Sequence, residues 1–163
     1  MLRLTQRQLL IGLSFISFTM IGIALIMEYG FGLEPCPLCI LQRVGIVAGG
    51  VIALLAALHH PERGMTLYIG AIGLSYLSTC GLAARQLWLQ SLPADQVPAC
   101  GPSLDYLLDV LPIFDVLALV LSGDGSCAEV AWSFLGLSIP AWVLIGCIPL
   151  LVILISVPKA SRS

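Results

Sequence analysis

Residues 36–58 read CPLCILQRVGIVAGGVIALLAAL: a Cys-Pro-Leu-Cys motif opening onto an apolar run whose single charge is Arg43. A hydrocarbon core needs about 20 apolar residues to cross it as a helix, and residues 40–58 meet that requirement. Residues 9–27, 65–88 and 139–157 meet it too; the first and last carry no charge and the third only Arg85. The 163-residue chain is 59% hydrophobic and 10% charged, with a mean hydropathy of +1.04, far from a soluble domain. The sequence therefore predicts an all-α integral membrane protein. It is a single domain over residues 1–163, a four-transmembrane-helix bundle with connections at about 28–39 and 90–138 on one side.

Basic residues orient the bundle. Of the seven lysines and arginines, Arg3 and Arg7 precede the first span, Arg63 lies between the second and third, and Lys159 and Arg162 follow the fourth. Short cytoplasmic segments hold more of these than exported ones, so both termini are expected in the cytoplasm. Eight of the nine acids map to the opposite face, Glu62 being the exception. Arg3 and Arg7 before an apolar run also suit a secretory signal. The run is nearer a full span, and Ile26-Met27-Glu28-Tyr29-Gly30 offers no A-x-A-like cleavage site, which predicts a retained anchor.

Four of the six cysteines, Cys36, Cys39, Cys100 and Cys127, then fall in the exported connections, where disulfides form and persist. Cys80 and Cys147 lie within spans and read as small apolar packing residues. The longer connection holds its own apolar segment, residues 103–121, with Ser103 available as an N-cap and with Asp105 and Asp109 one turn apart. Pro112 and Asp115 interrupt it before it can span, so an interfacial amphipathic segment is expected, kept near Trp88, Trp132 and Trp142 at the membrane boundary.

A C-x-x-C pair can close a small disulfide, and its second cysteine at a helix N-terminus meets free backbone N–H groups and the positive dipole end, which favour thiolate. That cysteine is Cys39. Arg43 is one turn further on the same face. It can snorkel to the interface, or stabilise the thiolate and hydrogen-bond the carbonyl oxygen of a lipid-soluble electron acceptor, a demand that a quinone meets. A tetrahedral zinc site from the four exported cysteines is disfavoured, because there is no second C-x-x-C and because His59 and His60, beside Pro61-Glu62-Arg63-Gly64, sit at the other face. Cys100 and Cys127 are separated by 26 intervening residues, and a bridge between them would be worth roughly 3.5 kcal/mol in chain entropy. Flanked by Pro98, Gly101, Pro102, Gly123 and Gly125, they suit exposed, adjustable thiols. Such a bridge is either a structural staple or open to attack by an incoming thiolate.

The motif Cys36-Pro37-Leu38-Cys39-Ile40-Leu41-Gln42-Arg43, the four spans, Cys100, the stretch Gly123-Asp124-Gly125-Ser126-Cys127-Ala128-Glu129 and the run from Trp132 to Trp142 together resemble the DsbB family of bacterial disulfide bond formation proteins. The resemblance covers nearly the whole chain. It implies a protein-thiol:quinone oxidoreductase of the bacterial inner membrane that reoxidises a DsbA-like periplasmic dithiol oxidase, with ubiquinone or menaquinone as acceptor. It implies that Cys100–Cys127 is the pair attacked by the partner, that Cys100 takes the mixed disulfide, and that Cys127 then engages Cys36 and releases Cys39 beside Arg43. The segment Arg85-Gln86-Leu87-Trp88-Leu89-Gln90 has no histidine, although some family members carry one near there, so no imidazole role transfers; Gln90 or Trp88 could line the acceptor site instead. Arg85 could snorkel to phosphate, pair with an acid or shape the pocket. A related quinone-linked thiol oxidase with another partner and a non-catalytic membrane protein with structural disulfides are the alternative readings. The net charge of −2 gives no reason to expect a nucleic-acid partner.

Overall fold

The computed structural model describes residues 5–59, 64–93, 95–97, 104–123 and 125–160, of which Leu104 and Asp105 are described by backbone alone. Arg3, His60, Pro61, Glu62, Arg63, Pro98, Cys100, Gly101, Pro102, Ser103, Asp124 and Arg162, each given a part above, lie outside the described residues, as does the side chain of Asp105. Four helices are long and apolar enough to cross a membrane: α1 (Gln6–Phe31), α2 (Pro37–His59), α3 (Met65–Gln90) and α7 (Ile139–Ser156), the last continued by a 3-10 turn, Val157–Lys159. At 1.5 Å per residue, α1 and α3 reach about 39 Å, beyond the ~30 Å of a hydrocarbon core. The chain is thus the four-helix membrane protein its sequence predicts.

Local chemistry sets the helix ends. Thr5 caps α1 through a reciprocal box with Gln8, Thr5 N donating to Gln8 Oε1 at 3.0 Å and Gln8 N to Thr5 Oγ1 at 3.3 Å. The helix runs four residues past the expected span and stops at Gly32, whose φ of 65° is the left-handed conformation that closes a helix C-terminus. The first connection is correspondingly shorter than 28–39. α2 starts at Pro37, a first-turn position where the missing N–H costs nothing and φ is pre-set.

Small residues on α2 decide how closely the bundle packs. A Cβ on Gly49 would meet the ring of fully buried Tyr76 on α3, and one on Gly50 would come within 2.8 Å of Ser17 Cβ on α1. In lipid, where apolar surface gains little by leaving the tails, such stripes supply the contact that holds helices together. Ser17 Oγ and Tyr76 OH close the layer with a buried 2.9 Å hydrogen bond. Gly49→Ala forces a shift of α3 against a filled site and is expected to cost about 1–3 kcal/mol, read as a lower unfolding midpoint in detergent micelles.

The longer connection is folded. Helices α4 (Leu104–Val110) and α5 (Ile113–Ser122) meet at Pro112, and α6 (Gly125–Ala128) follows. Pro112 breaks the segment as expected, but Asp115 does not: it occupies the first turn of α5, where the positive end of the helix favours a carboxylate. Leu107, Val116 and Val120 are buried over the bundle beside Leu38 and Leu89, while Ile113, Phe114 and Leu117 face outward.

A two-stranded hairpin then leads into α7, a feature the sequence reading did not anticipate. Strands β1 (Ser133–Phe134) and β2 (Leu137–Ser138) pair antiparallel through a Leu135-Gly136 turn with φ of 53° and 78°. Positive φ at both turn residues matches the twist of a tight hairpin. The Phe134 ring stacks 5.9 Å from Trp132 and lies 6.0 Å from Trp142, whose Nε1 donates to the Phe134 carbonyl at 3.2 Å. These contacts account for the distinctive Trp132-to-Trp142 run: it pins the connection to α7.

Candidate functional site

The site lies at the end of the bundle where α2 begins and α3 ends. Cys36 directly precedes α2, its carbonyl accepting the first helical bond from Ile40 N at 3.1 Å. Its Sγ accepts from Cys39 N at 3.4 Å, so a sulfur occupies the place of an N-cap oxygen. Cys39 is in the first turn, 3.1 Å away Sγ to Sγ, and both thiols are half-buried. The C-P-x-C spacing thus places both sulfurs in the field of one helix N-terminus.

Across the gap, α3 presents an amide to both. Gln86 Nε2 donates to Cys36 Sγ and to Cys39 Sγ, 3.3 Å in each case, while its Oε1 accepts from Gln42 Nε2 at 2.7 Å. Gln42 and Gln86 are 2% and 3% exposed, and this pairing is what makes two buried amides tolerable there. Neither glutamine was singled out from the sequence as a site residue. Only the helix register brings them together.

The third thiol comes from α6. Cys127 is buried among Leu38, Leu89, Leu107, Val116 and Val120, with Cys36 packed against the same cluster. This corrects the expectation of an exposed, adjustable thiol. The chain around Cys127 lies against α3 and α2: Gly123, at φ 78°, packs on Leu89. Hydrogen bonding to Cys127 first, then to Cys39, together with burial, holds the Cys36 thiol far above its ordinary range. In reduced protein, alkylation of Cys36 is therefore expected to lag through pH 9.0, the ordinary thiol value. Cys127→Ser removes the largest raising influence and should speed that alkylation at fixed pH, which mass spectrometry of the trapped peptide reads directly.

Arg43 does not reach the sulfurs. Its guanidinium pairs with Glu28 at the end of α1 and donates to Ala24 O at 3.4 Å, both charged side chains being about a quarter exposed. Glu28 entered the sequence reading only as a marker of sidedness. An acid at the end of an apolar span needs a partner, and that was the available signal. Arg43, Cys36, Cys39 and Gln86 nevertheless line one cleft of about 880 Å³, including its open mouth. Met20, Ile21 and Ala24 of α1, Ile46 of α2 and Val143 of α7 give it apolar walls, and Gln90, Glu129 and Trp132 its outer rim. A few polar groups converging in an apolar recess are the mark of a small-molecule site.

Of the two residues considered beside the missing histidine, Gln90 lines this cleft and accepts from Ser138 Oγ at 2.8 Å. Trp88 is 51% exposed and does not, because Arg85 lies over its ring at 4.8 Å on the outer face of α3. Arg85 also donates to the carbonyls of Leu121 and Ser122 at 3.2 and 2.9 Å, so it caps the C-terminus of α5. Cys147 is buried and does not line the cleft.

Comparison with known proteins adds the family. The family model described as disulfide bond formation protein DsbB matches residues 6–157. The chain belongs to the DsbB family. Among curated relatives, the disulfide bond formation protein B of Marinobacter nauticus is 56% identical over 128 residues, covering 77% of this chain and 76% of that protein. Its counterpart in Hahella chejuensis is 53% identical over 127 residues, 77% of each. That of Stutzerimonas stutzeri is 44% identical over 154 residues, 93% of this chain and 94% of the relative. As a DsbB-family protein it serves disulfide bond formation as a disulfide-forming oxidoreductase, and its four apolar helices fit a multi-pass membrane protein.

Proposed function

We propose that this DsbB-family chain is a protein-thiol:quinone oxidoreductase of the bacterial inner membrane, with its cysteines periplasmic and both termini cytoplasmic, reoxidising a DsbA-like dithiol oxidase. The observation carrying the proposal is that Cys36, 3.1 Å from Cys39 Sγ to Sγ, packs against the cluster that buries Cys127, while Cys36 and Cys39 line an apolar cleft that also holds Arg43. The chain's own part begins at the partner. A thiolate of the reduced partner attacks Cys100 of a Cys100–Cys127 disulfide, giving a mixed disulfide and a free Cys127 sulfur. Cys127 then attacks Cys36 of a Cys36–Cys39 disulfide; the Cys36–Cys39 bond breaks and its electron pair stays on Cys39.

The residues present fit a quinone: Arg43 and the amide of Gln90 are donors for carbonyl oxygens, and Met20, Ile21, Ile46 and Val143 suit an apolar ring. Bound there, ubiquinone or menaquinone supplies a lipid-soluble acceptor of two electrons and two protons. Arg43 orients and polarises the carbonyl end of the cleft, and its Glu28 partner fixes the guanidinium. The hydrophobic cluster around Cys127 keeps water from the exchanging sulfurs. Anaerobic quinone reduction by purified protein given a reduced DsbA-like partner tests both halves of the relay. Turnover requiring both reactants supports it; thiols that stay oxidised whatever the quinone supply would leave a stapled, non-catalytic protein.

A further inference from the structure

The Gln42–Gln86 pair has no part in the relay as stated above, yet it touches the sulfurs more closely than Arg43 does. Gln86 Nε2 is equidistant, at 3.3 Å, from Cys36 Sγ and Cys39 Sγ. One primary amide has two N–H groups, so each sulfur can receive one. Gln42 Nε2, bonded at 2.7 Å to Gln86 Oε1, sets the other end of that amide, and both side chains are buried. An N–H aimed at sulfur does little for a neutral thiol or a disulfide, which are weak acceptors, and much for a thiolate.

We propose that Gln86 is a catalytic residue that donates a hydrogen bond to the sulfur left charged when the Cys36–Cys39 disulfide opens, and that Gln42 is the positioning residue that aims it. The inference deepens the relay reading and rests on it for its place in turnover. In the exchange step the bond from Cys127 to Cys36 forms, the Cys36–Cys39 bond breaks, and the electron pair moves to Cys39 with no net oxidation. Gln86 N–H meets that charge at once, in surroundings too apolar for water to do so. The same amide serves the reverse step, because it faces both sulfurs. Stabilising the reduced pair in this way raises the reduction potential of the disulfide, making it the stronger oxidant.

The test needs neither quinone nor partner. In full-length protein carrying Cys100→Ala and Cys127→Ala, the Cys36–Cys39 pair is equilibrated with a thiol–disulfide redox buffer at pH 7, trapped and read by mass spectrometry. Gln86→Met, which keeps the length and loses the donor, is expected to shift the equilibrium about tenfold toward disulfide, equivalent to a potential lower by about 30 mV. Gln42→Met should shift it in the same direction by less, and should add nothing to Gln86→Met, since Gln42 acts through that amide. An unchanged equilibrium in Gln86→Met, or a Gln42 effect that survives in full without Gln86, overturns the proposal. Gln86→Leu provides the same reading should the methionine variant lose its helical circular dichroism. Failure of wild-type protein to reduce quinone would sink the relay while leaving these potentials to be judged alone.

Discussion

Cys39→Ser is expected to abolish quinone reduction outright while leaving the protein folded and able to form a mixed disulfide with its partner. Cys39 is the sulfur at the first turn of α2, within 3.1 Å of Cys36 and lining the cleft beside Arg43. A serine hydroxyl is nearly isosteric, accepts the same Gln86 N–H and costs little in packing, yet it cannot form the Cys36–Cys39 bond. No other described thiol replaces it: Cys127 is buried among Leu38, Leu89, Leu107, Val116 and Val120, Cys147 is buried within α7, and neither lines the cleft. The check is quinone absorbance under anaerobic conditions, with partner bound as a trapped adduct in the same sample. Residual turnover in Cys39→Ser would mean that another sulfur faces the acceptor.

Arg43→Ala is expected to lower kcat/KM for quinone by about 10²-fold, the scale seen when one preorganised donor to a developing negative charge is lost. The substitution has a second consequence that a solitary snorkelling arginine would not have. Glu28 loses its ion-pair partner among the described residues while still three-quarters buried, which should also lower thermal stability. Glu28→Gln separates the two effects: it keeps Arg43 charged but less firmly oriented, and is expected to cost less in turnover than Arg43→Ala. Redox equilibration of Cys36 and Cys39 with a soluble thiol buffer should change far less than quinone turnover in either variant. Full quinone activity in Arg43→Ala would remove the guanidinium from the acceptor site and leave it as an anchor for α1.

The chemistry of the site was only partly legible in the chain. C-P-L-C announces itself because spacing and proline position are properties of consecutive residues: Pro37 at the first helical position and sulfur at the cap follow from sequence and geometry together. Arg43 is legible for the same reason, being one turn beyond Cys39. Gln86 and Gln42 are not, since a glutamine in a span has many possible partners, and the 2.7 Å bond between them depends on the rotation of α3 against α2. That rotation is set by Gly45 and Gly49 lying under Thr79 and Tyr76, a long-range fit that no local pattern contains.

Cys127 makes the same point in the opposite sense. Glycines around it suggest a thiol free to move, but α6 lies against α3 and α2, and the apolar residues that bury Cys127 come from α2, α3, α4 and α5. Trp88 and Arg85, both plausible site residues from their position, are drawn outward by each other and by the open end of α5.

Length and polarity alone determined the four membrane helices and the grouping of both cysteine-bearing connections at one end, because a bilayer tolerates few other ways of placing such runs and the parity of crossings does the rest. Tertiary structure alone decided which groups meet the sulfurs: the buried amide pair, the packing of Cys36 on the cluster that buries Cys127, and the diversion of Arg43 to Glu28. The physical reason is that hydropathy acts on each segment independently, whereas a hydrogen bond of about 3 Å requires two distant segments to agree in depth, tilt and rotation at once.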